Sequence, residues 1–92
     1  MDARLKKQWE VTRSLLSEAA VQVSSMPGFS SFGEYIEHNE LELALNVLEQ
    51  LGEQSTVNAG YWQNLYKASE VMGLQTHYGD LRQKAHKARR AS

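Results

Sequence analysis

The chain is predicted to be all-α: a compact bundle of four to five antiparallel helices with short loops, forming a single domain over residues 1–92 with a core over residues 2–89. Proline occurs only at Pro27, and Ala, Leu, Glu, Gln and Lys together outnumber the β-branched residues, which favours helix. Apolar residues recur at steps of three and four. The joints between these segments span about two to six residues, which favours antiparallel neighbours.

The first helix is expected from about Asp2 to Ser24. It ends before Pro27 and Gly28, because proline cannot continue a helix and glycine favours a turn. Its apolar face consists of Leu5, Trp9, Thr12, Leu16, Ala19, Ala20 and Val23.

A short second helix is expected to begin at Ser31 and to end near His38. Ser31 and Glu34 have the spacing of a capping box, in which each side chain accepts a hydrogen bond from a free backbone N–H of the first turn. The residues expected to be buried on this helix are Phe32, Tyr35 and Ile36.

Asn39 is predicted to cap the third helix, with Glu42 at the third helical position. Gly52 is predicted to stop this helix after Leu51, since glycine readily adopts the left-handed conformation. The core stripe of the third helix is Leu41, Ala44, Leu45, Leu48 and Leu51.

A fourth helix is expected over about Ala59 to Met72, ended by Gly73. Its neighbours Tyr61 and Trp62 project about 100° apart, so we expect that the two are not both fully buried. The last helix, from about Thr76 to Arg89, has the thin apolar stripe Tyr78, Leu81, Ala85 and Ala88.

Charge is strongly polarised along the chain, although the net charge is only −1. No Lys or Arg occurs between Arg13 and Lys67, a run of 53 residues with seven glutamates. Basic residues outnumber acidic ones four to two in residues 1–13 and six to two in residues 67–92. A separated charge pattern suits a protein that captures a cationic partner, because complementary potentials speed encounter.

The carboxylates of the central helices are therefore candidates for a partner-binding surface. On the third helix one stripe opposite the leucine face is expected to be exposed, with no lysine or arginine of the same segment to neutralise it. A solvated helix face that serves no partner is the alternative reading of each glutamate, and acids near helix N-termini also favour the helix dipole. The candidate residues are Glu34, Tyr35, Glu37, His38, Glu40, Glu42, Asn46, Glu49 and Glu53.

The sequence does not favour an enzyme. Outward-facing carboxylates lack the desolvation that would raise a pKa for acid–base catalysis. There is no phosphate-binding glycine loop, no nucleophile motif and no metal-binding His-Glu pair, so no catalytic, cofactor or metal site is expected. Cysteine is absent, which excludes disulfides and thiolate zinc sites. With no apolar signal region and no membrane-length run, we expect a cytoplasmic protein without a membrane partner.

A nucleic-acid-binding or regulatory protein is the alternative function. Its basis is the cluster Arg82, Lys84, Lys87, Arg89 and Arg90 in the last helix. However, cations near a helix C-terminus also complement the dipole, and Tyr78 is the only aromatic residue in this helix. We therefore expect no direct contact with nucleic acid.

Two stretches carry a resemblance to a known family. The segment FGEYIEHNELELAL spans residues 32–45, and ASEVMGL spans residues 68–74 after the aromatic pair Tyr61-Trp62. This pattern, over about residues 30–74, is similar to small helical immunity proteins of bacterial polymorphic toxin systems, the contact-dependent growth inhibition and Maf-type immunity proteins. The first helix and the basic C-terminal segment have no counterpart in it.

The resemblance implies inhibition of a toxin. Such a protein binds, as a monomer in a 1:1 complex, the cognate toxin domain of a secreted effector in the cytoplasm of the producing cell. The toxins of this group are often nucleases, including EndoU-like ribonucleases. A nuclease needs a basic cleft to attract its polyanionic substrate, so an acidic helical face is its natural complement.

Overall fold

The protein is an all-α bundle, as the sequence predicts. The structure, a computed structural model, describes the backbone of residues 3–91 and the side chains of residues 6–74, 77 and 79–90. A 3₁₀ turn, Val21–Val23, follows the first helix. The helices are α1 Ala3–Ala20, α2 Phe29–Glu37, α3 Leu41–Glu53, α4 Ala59–Met72 and α5 Gln75–Ala91.

Helix α4 lies at the centre of the packing and contacts α1, α3 and α5, while α2 packs mainly against α3. The predicted core positions of α3 are all buried, and so are Thr12, Leu16 and Val23 of the first helix and the turn that follows it. Trp9 is half-buried, and Leu5 lies outside the described side chains. None of the described helices is long and apolar enough to cross a membrane.

Both predicted capping boxes are wrong. Helix α2 begins at Phe29, because Gly28, with φ of 92°, already turns the chain. Asn39 has φ of 57° and ends α2 instead of starting α3. The N–H of Glu40 donates to the Tyr35 carbonyl at 2.8 Å, and the N–H of Asn39 donates to the Ile36 carbonyl at 3.1 Å. These two bonds form a Schellman motif, the common end of a helix at a left-handed residue.

The predicted role of Gly52 is also wrong, because α3 continues through it to Glu53. Gly52 is buried against α4. A Cβ atom at this position would lie 2.6 Å from Tyr61 Cε1 and 2.8 Å from Trp62 Cη2. The missing side chain lets both rings pack into the core, where Tyr61 is fully buried and Trp62 remains 8% exposed.

The ends of α4 agree with the prediction. The side chain of Asn58 accepts a hydrogen bond from the N–H of Tyr61 at 3.0 Å. Gly73 closes the helix with φ of 71°. In α5, Leu81 and Ala85 are buried as predicted, whereas the side chain of Tyr78 lies outside the described set.

Candidate protein-binding surface

Four carboxylates lie within residues 34–42 on the outside of the α2–α3 hairpin. Glu34 and Glu37 are exposed on α2, Glu40 is exposed immediately before α3, and Glu42 is exposed in the first turn of α3. Among the residues described by the structure, no basic side chain forms an ion pair with Glu34, Glu37 or Glu40. We call these four residues the acidic surface.

The local sequence explains this placement. Helix α2 is amphipathic: Phe32 is buried, and Tyr35 and Ile36 are half-buried against the core. The remaining face of the helix therefore meets solvent, and Glu34 and Glu37 lie on it. The left-handed turn at Asn39 then ends α2 and leads directly into α3. Glu34 and Glu37 before the turn and Glu40 and Glu42 after it therefore belong to one hairpin.

A basic side chain from α1 approaches this joint. Arg13 Nη2 donates a hydrogen bond to the Asn39 side-chain oxygen at 3.1 Å. The guanidinium thus holds α1 to the α2–α3 turn, and it places one positive charge beside the acidic surface. Sequence patterns give no sign of this contact, since the two residues are 26 positions apart.

Glu49, in the third turn of α3, faces the bundle instead of solvent. Its Oε1 lies 2.8 Å from Nδ1 of His77 on α5, and its side chain is only 17% exposed. Nε2 of the same imidazole lies 3.6 Å from Glu42 Oε2, beyond hydrogen-bond distance. His77 therefore connects the start of α5 to two carboxylates of α3, and a proton on Nδ1 satisfies the shorter contact.

Glu53, the last residue of α3, is paired with Lys84 of α5, and Asp80 Oδ2 lies 3.4 Å from the same ammonium group. Lys84 Nζ also lies 5.2 Å from the centroid of the Trp62 ring, a cation–π distance. Partial burial by itself lowers the pKa of Lys84. The hydrogen bond and charge of Glu53 outweigh it, so the pKa of Lys84 is raised above its ordinary value of 10.5.

The expectation of an exposed, unneutralised stripe along α3 is therefore wrong at two positions, because Glu53 is paired with Lys84 and Glu49 is only 17% exposed and contacts His77. Both contact α5, the helix that carries the basic residues, and a window along the sequence does not include that helix. Of the other candidates, Asn46 and Tyr35 are half-buried, and His38 is exposed at the end of α2. Among the candidate glutamates, Glu34, Glu37, Glu40 and Glu42 are the exposed ones that form no ion pair with a Lys or Arg of the described residues, whereas Glu53 is 56% exposed but paired with Lys84.

The acidic surface offers four exposed carboxylates, which can pair with positively charged groups. Sequence reasoning missed the contacts that His77, Lys84 and Arg13 make across the bundle. No local pattern marks them, because their pairing depends on how α5 and α1 cross α3. No family model matches the chain, and comparison with the curated proteins and with the solved structures found no match.

Proposed function

We propose that this protein is an immunity protein, which binds a cognate toxin domain and neutralises it by covering a basic substrate groove. The single observation that supports this proposal is the exposed acidic surface at Glu34, Glu37, Glu40 and Glu42. The assignment to toxin inhibition comes from the sequence pattern over residues 30–74, and the choice of a nuclease comes from the charge of the surface.

Inhibition would act by occlusion. Carboxylates on a rigid hairpin occupy the positions where the phosphates of a nucleic acid would otherwise bind, and the complementary potential accelerates encounter. A stable complex of this kind buries about 800 Å² on each partner. The acidic surface then has to be joined by neighbouring half-buried groups, of which Tyr35 is the aromatic candidate.

The pairing of Glu49 and Glu53 with α5 separates two roles within α3. Glu42 is 55% exposed and is available to a partner. Glu49 contacts His77, so replacing Glu49 should lower the stability of the bundle more than it weakens a complex with a partner. A test of the proposal must therefore change residues of the α2 end.

The direct experiment mixes the purified protein with the toxin domain encoded beside it and measures cleavage of RNA and DNA. We expect equimolar protein to abolish cleavage. The double variant Glu34→Lys/Glu37→Lys should slow association by about tenfold or more at low salt, with a smaller effect at high salt.

The matched control is Glu10→Lys/Glu18→Lys, which makes the same change in net charge at exposed positions of α1. It should inhibit nearly as well as the wild type. Undiminished cleavage in the presence of equimolar wild-type protein would refute the proposal. Equal loss in both double variants would show that net charge, and not the acidic surface, drives association.

A further inference from the structure

A groove of about 740 Å³ runs between α4 and α5, away from the acidic surface. Two residues of α4, Gln63 and Tyr66, form part of its lining. The cations that line it are Arg82, Lys87, Arg89 and Arg90 of α5. No carboxylate is among the described residues that line the groove.

One face of helix α5 contacts α3, and another face lines the groove. His77 and Lys84 contact the carboxylates of α3. At 100° per residue, Arg82 and Arg90 project about 140° to either side of His77, so they point away from α3. Both are exposed. Lys84 is therefore paired with Glu53 of α3, whereas Arg82, Lys87 and Arg90 line the groove.

An aromatic residue stands in this basic groove. Tyr66 is half-buried, and its hydroxyl donates to Glu70 Oε2 at 3.4 Å. Taken alone, α5 has no interleaved aromatics beyond Tyr78, which argues against contact with nucleic acid. Packing against α4 supplies the aromatic ring that the helix itself lacks.

We propose that this groove binds single-stranded nucleic acid. Arg82, Lys87 and Arg90 would contact successive phosphates, for which the planar guanidinium fork is well suited. A base would stack on Tyr66, and the Gln63 amide would meet its edge. Stacking favours a single strand over a duplex, whose bases are already stacked.

The size of the groove favours this occupant over the acidic surface of a second copy. A groove of this volume matches the range of about 300–1,000 Å³ for sites that enclose a small ligand. A folded helical hairpin presents a convex surface and needs a wider footprint. The proposal is independent of toxin inhibition, since the groove lies on the face of α5 that points away from α3 and includes none of the residues of the acidic surface.

The test is fluorescence anisotropy of the full chain with labelled mixed-sequence single-stranded RNA and DNA, and with a duplex of the same sequence. We expect binding to the single strands to weaken steeply between about 50 and 200 mM salt, with a logarithmic slope of about −2 for three phosphate contacts. The duplex should bind more weakly.

Variants locate the site. Arg82→Gln/Arg90→Gln should weaken binding by about tenfold or more and reduce the slope by about 1.4. The control Lys6→Gln/Lys7→Gln removes the same charge from exposed positions of α1 and should leave both values near those of the wild type. Tyr66→Leu should weaken binding by about tenfold, whereas Tyr66→Phe keeps the ring and should bind normally. Thermal melts of each variant establish that it is folded.

Absence of binding at about 50 mM salt, where phosphate contacts are strong, would overturn the proposal. Equal loss in the α1 control would reduce the effect to net charge and overturn it too. Concentration-dependent self-association, lost in both Arg82→Gln/Arg90→Gln and Glu34→Lys/Glu37→Lys, would assign the groove to a second copy instead. A protein that inhibits its toxin but fails this test refutes only the groove assignment.

Discussion

Replacing Gly52 by alanine tests the packing that joins α3 to α4. Gly52 is buried inside α3, and an added Cβ would lie 2.6 Å from Tyr61 Cε1 and 2.8 Å from Trp62 Cη2. Real Cβ contacts essentially never fall below 3.0 Å, so both rings, or the backbone of α3, must move. Both rings are buried, and the Tyr61 hydroxyl donates to the Leu48 carbonyl, which limits the available movement.

The expected change in the free energy of unfolding of Gly52→Ala follows from two opposing effects. Alanine in a helix interior is favoured over glycine by about 0.5–1 kcal/mol. Forcing a methyl group into a close-packed core costs about 1–3 kcal/mol. Gly52→Ala should therefore be destabilised by up to about 2 kcal/mol. Gly33, in α2, is exposed, and a Cβ atom added there would have no neighbour within 4 Å, so Gly33→Ala should keep the gain alone.

The measurement is the free energy of unfolding of both variants by urea denaturation, followed by far-UV circular dichroism. The difference between the two variants removes the shared backbone term and leaves the packing cost. A difference of about 2 kcal/mol corresponds to about 8–16 °C in Tm for a domain of this size. If Gly52→Ala is stabilised as much as Gly33→Ala, the proposed contact between Gly52 and the aromatic pair is refuted.

Three further substitutions have expected outcomes. Thr12→Val should raise the free energy of unfolding by about 1 kcal/mol, because the Thr12 hydroxyl is buried without a hydrogen-bond partner among the described residues. A loss of stability in urea denaturation would contradict this. Tyr61→Phe should cost about 1 kcal/mol at neutral pH. Burial, and next the charge of Glu49, raise the pKa of Tyr61 above 10.0, so the stability of the wild type should fall as pH rises above about 10. Urea titrations across that range should show a shallower fall in Tyr61→Phe, and an identical fall would refute the assignment. Lys84→Gln should cost less than about 1 kcal/mol, and the loss should shrink with added salt because Lys84 is paired with carboxylates of α3 and α5; a loss that does not change with salt would count against an ionic origin.

Local sequence patterns were sufficient to predict the helical architecture and some of the helix ends. The apolar stripe of α3 is buried throughout, and α4 spans Ala59–Met72 and ends before Gly73 as expected. Apolar periodicity predicts the buried positions because each helix must bury one face, whichever neighbour covers it. The ends of α4 can be predicted because the hydrogen bonds of a helix end are made within one or two turns.

The errors have two origins, which are local backbone conformations that differ from the predicted caps and partners from other helices. Gly52 reads as a helix stop, yet it is a packing position, because the rings of Tyr61 and Trp62 reach it from the next helix. Asn39 reads as an N-cap, yet its left-handed backbone ends α2, with hydrogen bonds back to the carbonyls of Tyr35 and Ile36. Short-range rules choose among local hydrogen bonds, and contacts across the bundle can reverse that choice.

The charged residues show most clearly the division between what sequence predicts and what tertiary contacts decide. Counting residues along the chain establishes an acidic centre between basic ends, and this follows from composition alone. Which carboxylates keep no partner within the protein depends on contacts between α3 and α5 that span 28 and 31 positions of sequence. These contacts act through distance in space, so the packing of α5 against α3 gives Glu53 a lysine partner and Glu49 a histidine partner, and it leaves Glu34, Glu37 and Glu40 without a basic partner among the described residues. Other cations of α5 line the groove with α4.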